Sequence, residues 1–310
     1  MESPAGEVVA PVGRWYRFSF TVARGFTYGL LRVLGLRGLY HFGRAFATIE
    51  WLINYRRRRR FRRQIRPLFR DELPRARRRR ACWRLFVNTR CDKLFFLIFD
   101  RLPQRVFEER FKWVDVEGLE AALRSGSGAY VAMSHFGAHH IAILMMSLRG
   151  HKVAGVRGAE EGPIRRYILD KYTRRYPQFA GIKSFYTSTN PREIFRAFRD
   201  GYLVGSASDV ARIKNPRMRT VDVRFFGETR PFLVGPLQIA LKCGVPIFQG
   251  FVVSRPFFRY DMIAIGPLIE PGRDDTAESE SPERIAAVMQ RYADNIETML
   301  RQHPCHLSRV

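Results

Sequence analysis

The 310-residue chain is short of acid. It has 29 Asp+Glu against 54 Lys+Arg, a formal charge of +25. That imbalance excludes a basic partner and points to an acidic one: nucleic acid, anionic lipid or an acidic carrier protein. Cysteine is scarce as well. Cys82, Cys91, Cys243 and Cys305 are scattered without paired metal spacing and read as reduced thiols in a cytosol-facing chain. The N-terminal region has no long apolar run. Arginine interrupts it at positions 14, 17, 24, 32, 37 and 44, which excludes a clean signal peptide and leaves no stretch of the ~20 residues that a membrane span needs. The one long uncharged run, 125–148, contains Ser-Gly-Ser-Gly and three histidines, so it reads as strand–loop–helix. No internal repeat is visible. Hydrophobic residues make up 46% of the chain, enough to build a core for one large domain, or one domain plus an appendage.

That uncharged run organises the rest. Gly128 to Met133 is apolar and β-prone and reads as a buried strand; Ile141 to Leu148 suits a buried helix. Between them stand His135, His139 and His140. A strand-to-helix junction in an α/β sheet joins the carboxyl end of a strand to the partly positive start of a helix, where chemistry collects. The backbone N–H groups of Gly137 and Ala138 are candidates for an oxyanion or a phosphate there. Histidines four apart can also bind zinc, but no glutamate follows His135 in the zinc-protease pattern and no third ligand stands out. His303, Cys305 and His306 would serve only if the C-terminus folded back.

Elsewhere the patterns alternate. Residues 14–55 mix aromatics with spaced arginines, which fits either helices lying at a membrane interface or amphipathic helices packed on the core. Residues 56–80 carry fourteen arginines, with Phe61, Ile65, Leu68 and Phe69 at helical spacing, although Pro67 strains that helix. Beside an aromatic-rich segment, this tract reads as a contact for anionic lipid; no nucleic-acid reading motif accompanies it. Residues 81–110 read as helical. From 112 onward strands are expected at 112–118, 128–133, 152–157, 202–207, 221–226, 246–253 and 260–265, and helices between and after them. Asn190-Pro191 and Ser281-Pro282 are helix starts. The alternation argues an α/β fold with a single mixed or mostly parallel sheet flanked by helices, residues 111–310, behind a basic helical membrane-associating region, residues 1–110.

Several stretches, in order, carry a resemblance. They are Gly118-Leu119-Glu120, His135-Phe136-Gly137, Arg157, Asp200-Gly201, Gly205 to Asp209, Phe225-Phe226-Gly227, Gly235-Pro236-Leu237-Gln238-Ile239-Ala240 and Gly244-Val245-Pro246-Ile247. Over roughly residues 20–302 the chain resembles the late acyltransferases of lipid A biosynthesis, within the lysophospholipid acyltransferase superfamily. The resemblance implies a glycerol-phosphate-acyltransferase-like fold and transfer of a fatty acyl chain, without metal or cofactor. The donor would be an acyl thioester on acyl carrier protein or CoA, and the acceptor a hydroxyl of a phosphorylated or glycosylated lipid. It also implies a peripheral location on the cytoplasmic face of the bacterial inner membrane. His135 takes the place of the family's catalytic histidine, which is followed four residues later by Asp or Glu. Here that second position is His140, a neutral orienting partner that brings no negative charge. Asp209, Glu160 and Glu161 are alternative sources of the charge. Arg157, Asp209, Gly227 and Gly137 are the implied substrate contacts, with Arg212 and Lys214 as further phosphate candidates. A lipid-binding homologue that has lost its chemistry through His140 is the alternative function.

Overall fold

A computed structural model of the chain describes residues 13–69, 73–157, 162–186, 189–209, 218–269 and 281–307. Three helices open the chain: α1 (Arg14–Ile53), α2 (Tyr55–Phe69) and α3 (Arg75–Ile98). α1 is two helical pieces joined at Gly35, whose φ of 64° belongs to the left-handed region. Glycine enters that region without the steric cost that a Cβ imposes. α2 runs through Pro67 to Phe69, so the proline is accommodated inside the final turn. α4 (Gln104–Arg110) then leads into β1 (Phe111–Val114).

The remaining elements are α5 (Glu117–Arg124), β2 (Ala129–Met133), α6 (Ala142–Leu148), β3 (Val153–Arg157), α7 (Gly162–Thr173), β4 (Lys183–Tyr186), α8 (Pro191–Arg199), β5 (Leu203–Ala207), β6 (Thr220–Phe225), β7 (Glu228–Leu233), α9 (Gly235–Lys242), β8 (Ile247–Arg255), β9 (Arg259–Ile269) and α10 (Pro282–Gln302). Seven strands form one sheet in the order β1-β9-β8-β2-β5-β3-β4. β2, β3, β4, β5 and β8 are mutually parallel, whereas β9 runs antiparallel to β8 and parallel to β1. The sheet is thus mixed and mostly parallel, as the alternation implied. β6 and β7 form a separate antiparallel hairpin. Each expected strand has a counterpart, the first only as far as Val114 because α5 begins at Glu117; β4 and β7 were not foreseen. Lys-Ser-Phe-Tyr is too short to show a period, and Pro231 with three charged or hydroxyl neighbours disguises β7. The two foreseen caps form: Asn190 Oδ1 accepts from Arg192 N at 3.0 Å, and Ser281 Oγ from Arg284 N at 3.2 Å.

Both faces of the sheet are covered, which is why its central strands are mostly apolar, with Gln249 and Ser206 buried among them. Along β2, Tyr130 and Ala132 enter the larger core, whereas Ala129 and Val131 enter a smaller one with Val116, Leu119 and Phe248. The larger core runs without interruption from Phe20 in α1 to Leu307 near the C-terminus. Packing is continuous across the junction of α4 and β1. The side chains of residues 14–55 divide between the core and the surface. Phe20, Tyr40 and Trp51 are buried, whereas Trp15, Phe18, Phe26, Phe46 and Leu52 are exposed. Among the described residues no helix is long and apolar enough to cross a membrane.

One charge ties α3 to the sheet. Asp92 is buried, and its carboxyl accepts from Ser254 Oγ at 2.9 Å and from Tyr260 Oη at 3.1 Å. Burial pushes its pKa up to about 7, against the pull of these two hydrogen bonds. Because the folded value lies above the unfolded one, the associated stability is complete below about pH 3.8 and is lost as pH rises through about 7. Asp92→Asn removes this dependence. The stability of the variant relative to wild type should therefore improve between pH 5 and pH 8 in urea titrations; an unchanged difference would show that Asp92 does not titrate in this window.

Candidate active site

The site begins with a register. β2 and β5 pair in parallel with Met133 opposite Ala207. Two residues beyond each strand end stand His135 and Asp209, so parallel pairing alone brings positions 74 apart in sequence side by side. The contact is close. His135 N–H donates to both carboxylate oxygens of Asp209, at 3.0 and 2.8 Å, and His135 Nδ1 lies 3.1 Å from Oδ1. Tyr292 of α10 donates its hydroxyl to Met133 O at 2.7 Å and lies 3.5 Å from Asp209 Oδ1. Asp209 is buried, whereas the His135 side chain keeps 18% of its surface exposed. Burial raises the Asp209 pKa, and the hydrogen bonds from His135 oppose that rise. Burial, and then the Asp209 charge, hold the Tyr292 phenol well above its ordinary range, so it remains a donor.

A carboxylate on Nδ1 selects the tautomer with the proton on that nitrogen and leaves the lone pair on Nε2. Such an imidazole can take a proton at Nε2 while the carboxylate stabilises the resulting cation.

The carboxylate that the structure places on His135 is Asp209. The His140 ring packs edge-on against Phe96, with centroids 5.1 Å apart. His139 lies between, its ring centroid 5.4 Å from that of His135 and 5.8 Å from that of His140. His139 and His140 sit in a 3-10 turn (His139–Ile141) that precedes α6, so the three histidines do not line one helix face. Among the described residues no group of three His, Cys, Asp or Glu side chains is disposed to hold a metal ion.

Gly137 donates its N–H to His306 O at 3.1 Å. Its φ is +56°, and a Cβ there would fall 2.2 Å from Val252 O. Glycine is therefore required by the close approach of β8. Gly227 has a turn role. With φ +79° it reverses the chain between β6 and β7. The opposite end of β7 meets the site, where Leu233 N donates to Ser208 O. At about 3.3 Å per residue the turn lies roughly 17–20 Å away. Arg157 ends β3, opposite Tyr186 in β4. Glu160, Glu161, Arg212 and Lys214 lie outside the described residues.

Two contributors escaped the sequence reading. Tyr292 sits among the apolar buried positions of α10, between Met289 and Ile296. The available signal was its hydroxyl, which must find a partner when buried. The other is the C-terminus, which does fold back, but as a brace. Phe136 bridges Leu307. The Phe136 and His306 rings stack at 5.0 Å and 12°. His306 Nε2 accepts from Ser254 N at 2.9 Å. The residue that follows His135 is thereby clamped between β8 and the chain end.

Accepting at Nε2 requires His306 to be neutral. Burial, with the nearby His303 and Arg255 charges, pushes its pKa down to about 3. Stability from this contact is thus present above the ordinary value of 6.5 and is lost as pH falls towards 3. His306→Phe keeps a ring against Phe136 but orphans the Ser254 N–H, so it should cost about 1–3 kcal/mol at pH 7.5. The gap should narrow at pH 5, because wild type alone loses stability there. Denaturant titrations at the two pH values check this; a gap that widens in acid would overturn the account.

Residues 19–306 match the family model described as bacterial lipid A biosynthesis acyltransferase. A search of curated proteins found no match.

Proposed function

The chain belongs to the bacterial lipid A biosynthesis acyltransferase family, and from that premise we propose that His135 is the general base of its acyl transfer, held by Asp209. Membership makes the protein an acyltransferase and makes its chemistry that of an acyl donor and a lipid acceptor. The observation that supports the finer reading is the contact between His135 Nδ1 and the buried Asp209 carboxylate at the carboxyl ends of two parallel strands.

In this reading His135 Nε2 takes the proton of an acceptor hydroxyl as the oxygen attacks the carbonyl carbon of an acyl thioester. The tetrahedral intermediate collapses, the C–S bond breaks, and the thiolate leaves with the proton returned by the imidazolium. The products are an ester and a free thiol. Asp209 keeps Nδ1 protonated and offsets the positive charge of the imidazolium. Tyr292, between Met133 O and Asp209, fixes the carboxylate. The donor is a thioester on acyl carrier protein, whose acidity suits a chain of charge +25, with acyl-CoA as the second candidate. The acceptor is a phosphorylated or glycosylated lipid, and Arg157 is a candidate for its phosphate. The buried carboxylate on His135 favours this reading over a binding protein that has lost its chemistry.

The surface supports peripheral attachment at the cytoplasmic face of the inner membrane. Trp15, Phe18, Phe26, Phe46, Ile49 and Leu52 are exposed on α1, next in sequence to the arginine-rich α2 and the start of α3. Aromatic rings at headgroup depth and guanidiniums on phosphates attach a helix without a span.

Acyl transfer measured under one condition in four proteins tests the dyad. His135→Ala should lose about 100-fold or more. Asp209→Asn, which removes a charge-assisted hydrogen bond worth about 1.5–3 kcal/mol, should lose about 10- to 150-fold. His140→Glu should bring no gain, because Asp209 already supplies the charge and a second carboxylate nearby adds repulsion. Full activity in folded Asp209→Asn, or a gain in His140→Glu, would return the orienting role to position 140. Binding to vesicles containing phosphatidylglycerol should weaken as salt rises and with Arg→Gln changes across 56–60. Indifference to both would argue against interfacial attachment.

A further inference from the structure

A second polar feature lies on the N-terminal helices, where the C-terminal half of α1 meets the start of α3. A cleft there is lined by Thr48, Trp51, Arg75, Arg79, Arg80 and Trp83. Its two walls are indoles. Trp83 Nε1 donates to Thr48 Oγ1 at 3.0 Å, which fixes that ring. The Arg44 guanidinium lies 5.3 Å from the Trp83 ring, and those of Arg58 and Arg79 lie 5.5 and 5.3 Å from the Trp51 ring. Cations over indole faces hold both side chains in place.

The cleft is positive, and its charge is unspent. Arg75 and Arg79 are one helical turn apart, and Arg80 adjoins them. Like charges at this spacing repel and weaken a helix. Among the described residues none of the three makes an ion pair, and all three are exposed. The acid next to Trp51, Glu50, is already held by Arg57 at 3.0 Å and Arg90 at 2.5 Å, and the hydrogen bond from Arg90 leads the effects that lower its pKa. The rest of the lining is apolar: the two indoles and Ala76, with Leu52 exposed next to Trp51 in sequence. An occupant that satisfies the whole cleft is anionic at one end and hydrocarbon at the other.

The cleft is separate from the dyad. Trp83 precedes Phe96, the residue that touches His140, by thirteen positions of one helix. At 1.5 Å per residue that is about 20 Å, and Arg75 is farther still. None of the residues that line the cleft belongs to the dyad or to the loop that carries His135.

We propose that this cleft binds one anionic phospholipid of the membrane, with its phosphate on Arg75, Arg79 and Arg80 and its glycerol and upper acyl chains along Trp51 and Trp83. The proposal rests on the reading that α1 to α3 face the membrane, and not on the assignment of the dyad. The bound lipid would fix the angle at which the helices meet the bilayer, beyond what diffuse attraction to a charged surface can do.

The test uses the full chain and two triple variants that remove equal charge. Arg75→Gln/Arg79→Gln/Arg80→Gln empties the cleft; Arg56→Gln/Arg59→Gln/Arg60→Gln strips exposed positions of α2. Titration with a short-chain, monomeric phosphatidylglycerol, followed by calorimetry, reads the site in the absence of any membrane surface. One saturable site is expected in wild type, weakened at least tenfold in the cleft variant and unchanged in the α2 variant. Inorganic phosphate should compete at least tenfold more weakly than the lipid. Equal losses in the two variants, or no saturation, would overturn the proposal in favour of diffuse attraction. Phosphate binding as tight as lipid binding would replace the lipid with a free anion. Trp83→Leu, which leaves every arginine in place, should also weaken the lipid; unaltered binding would remove the indoles from the site. Vesicle binding is read separately. Its absence, with the short-chain lipid still bound, would overturn the membrane-facing reading and leave the cleft's chemistry standing.

Discussion

The parallel pairing of β2 with β5 is the constraint on which the site depends. With Met133 opposite Ala207, the two chain ends that leave the sheet start level, and two steps later His135 and Asp209 meet. A shift of one residue would place different side chains at the meeting point, and the buried faces of both strands forbid it. The contact then closes through three contacts from two nitrogens of one histidine: its backbone N–H reaches both carboxylate oxygens and its Nδ1 reaches one. A buried carboxylate that accepts this many hydrogen bonds is both fixed in place and kept available to a positive charge forming on the ring.

The loop that carries His135 is held on its other side by the chain end. The clamp of Phe136 and Gly137 by His306 and Leu307 explains why a short, sharply turned loop can hold one geometry. Beyond it, Ser254 links His306 to Asp92 and so to α3. The basic helices, the sheet and the C-terminus thus meet in one buried polar chain, each end of which titrates away from its ordinary pKa. The continuous core from Phe20 to Leu307 makes the N-terminal helices part of the same folded body as the sheet.

Charge is divided between two uses. Acids in the interior are few, and each is committed: Asp209 to His135, Asp92 to Ser254 and Tyr260, Asp100 to Arg24, and Glu50 to Arg57 and Arg90. Most of the excess arginine is left on α2 and the start of α3, facing outward. In the reading proposed above, that surface and the exposed aromatic residues on α1 meet an anionic lipid interface.

Much of this was legible in the order of residues. Apolar runs and turn residues located nearly every strand and helix, because a strand's two-residue period and a helix's 3.6-residue period are local properties. The caps at Asn190 and Ser281 are local too, and they formed. His135 was legible because it directly follows a buried strand. Its partner was not. Whether 140 or 209 supplies the charge depends on which strands pair and in what register, and nothing within a few residues of either position encodes that. The same limit hid β7, which is recognisable only against β6, and Tyr292, which looks like one more core residue until Met133 and Asp209 are set beside it. It also hid the use of Gly137, whose N–H faces a chain end 169 positions away. Sequence determined the elements and the place of His135 among them; only the tertiary structure decided which distant groups that histidine and its loop would meet, because those contacts are made across strand pairings and not along the chain.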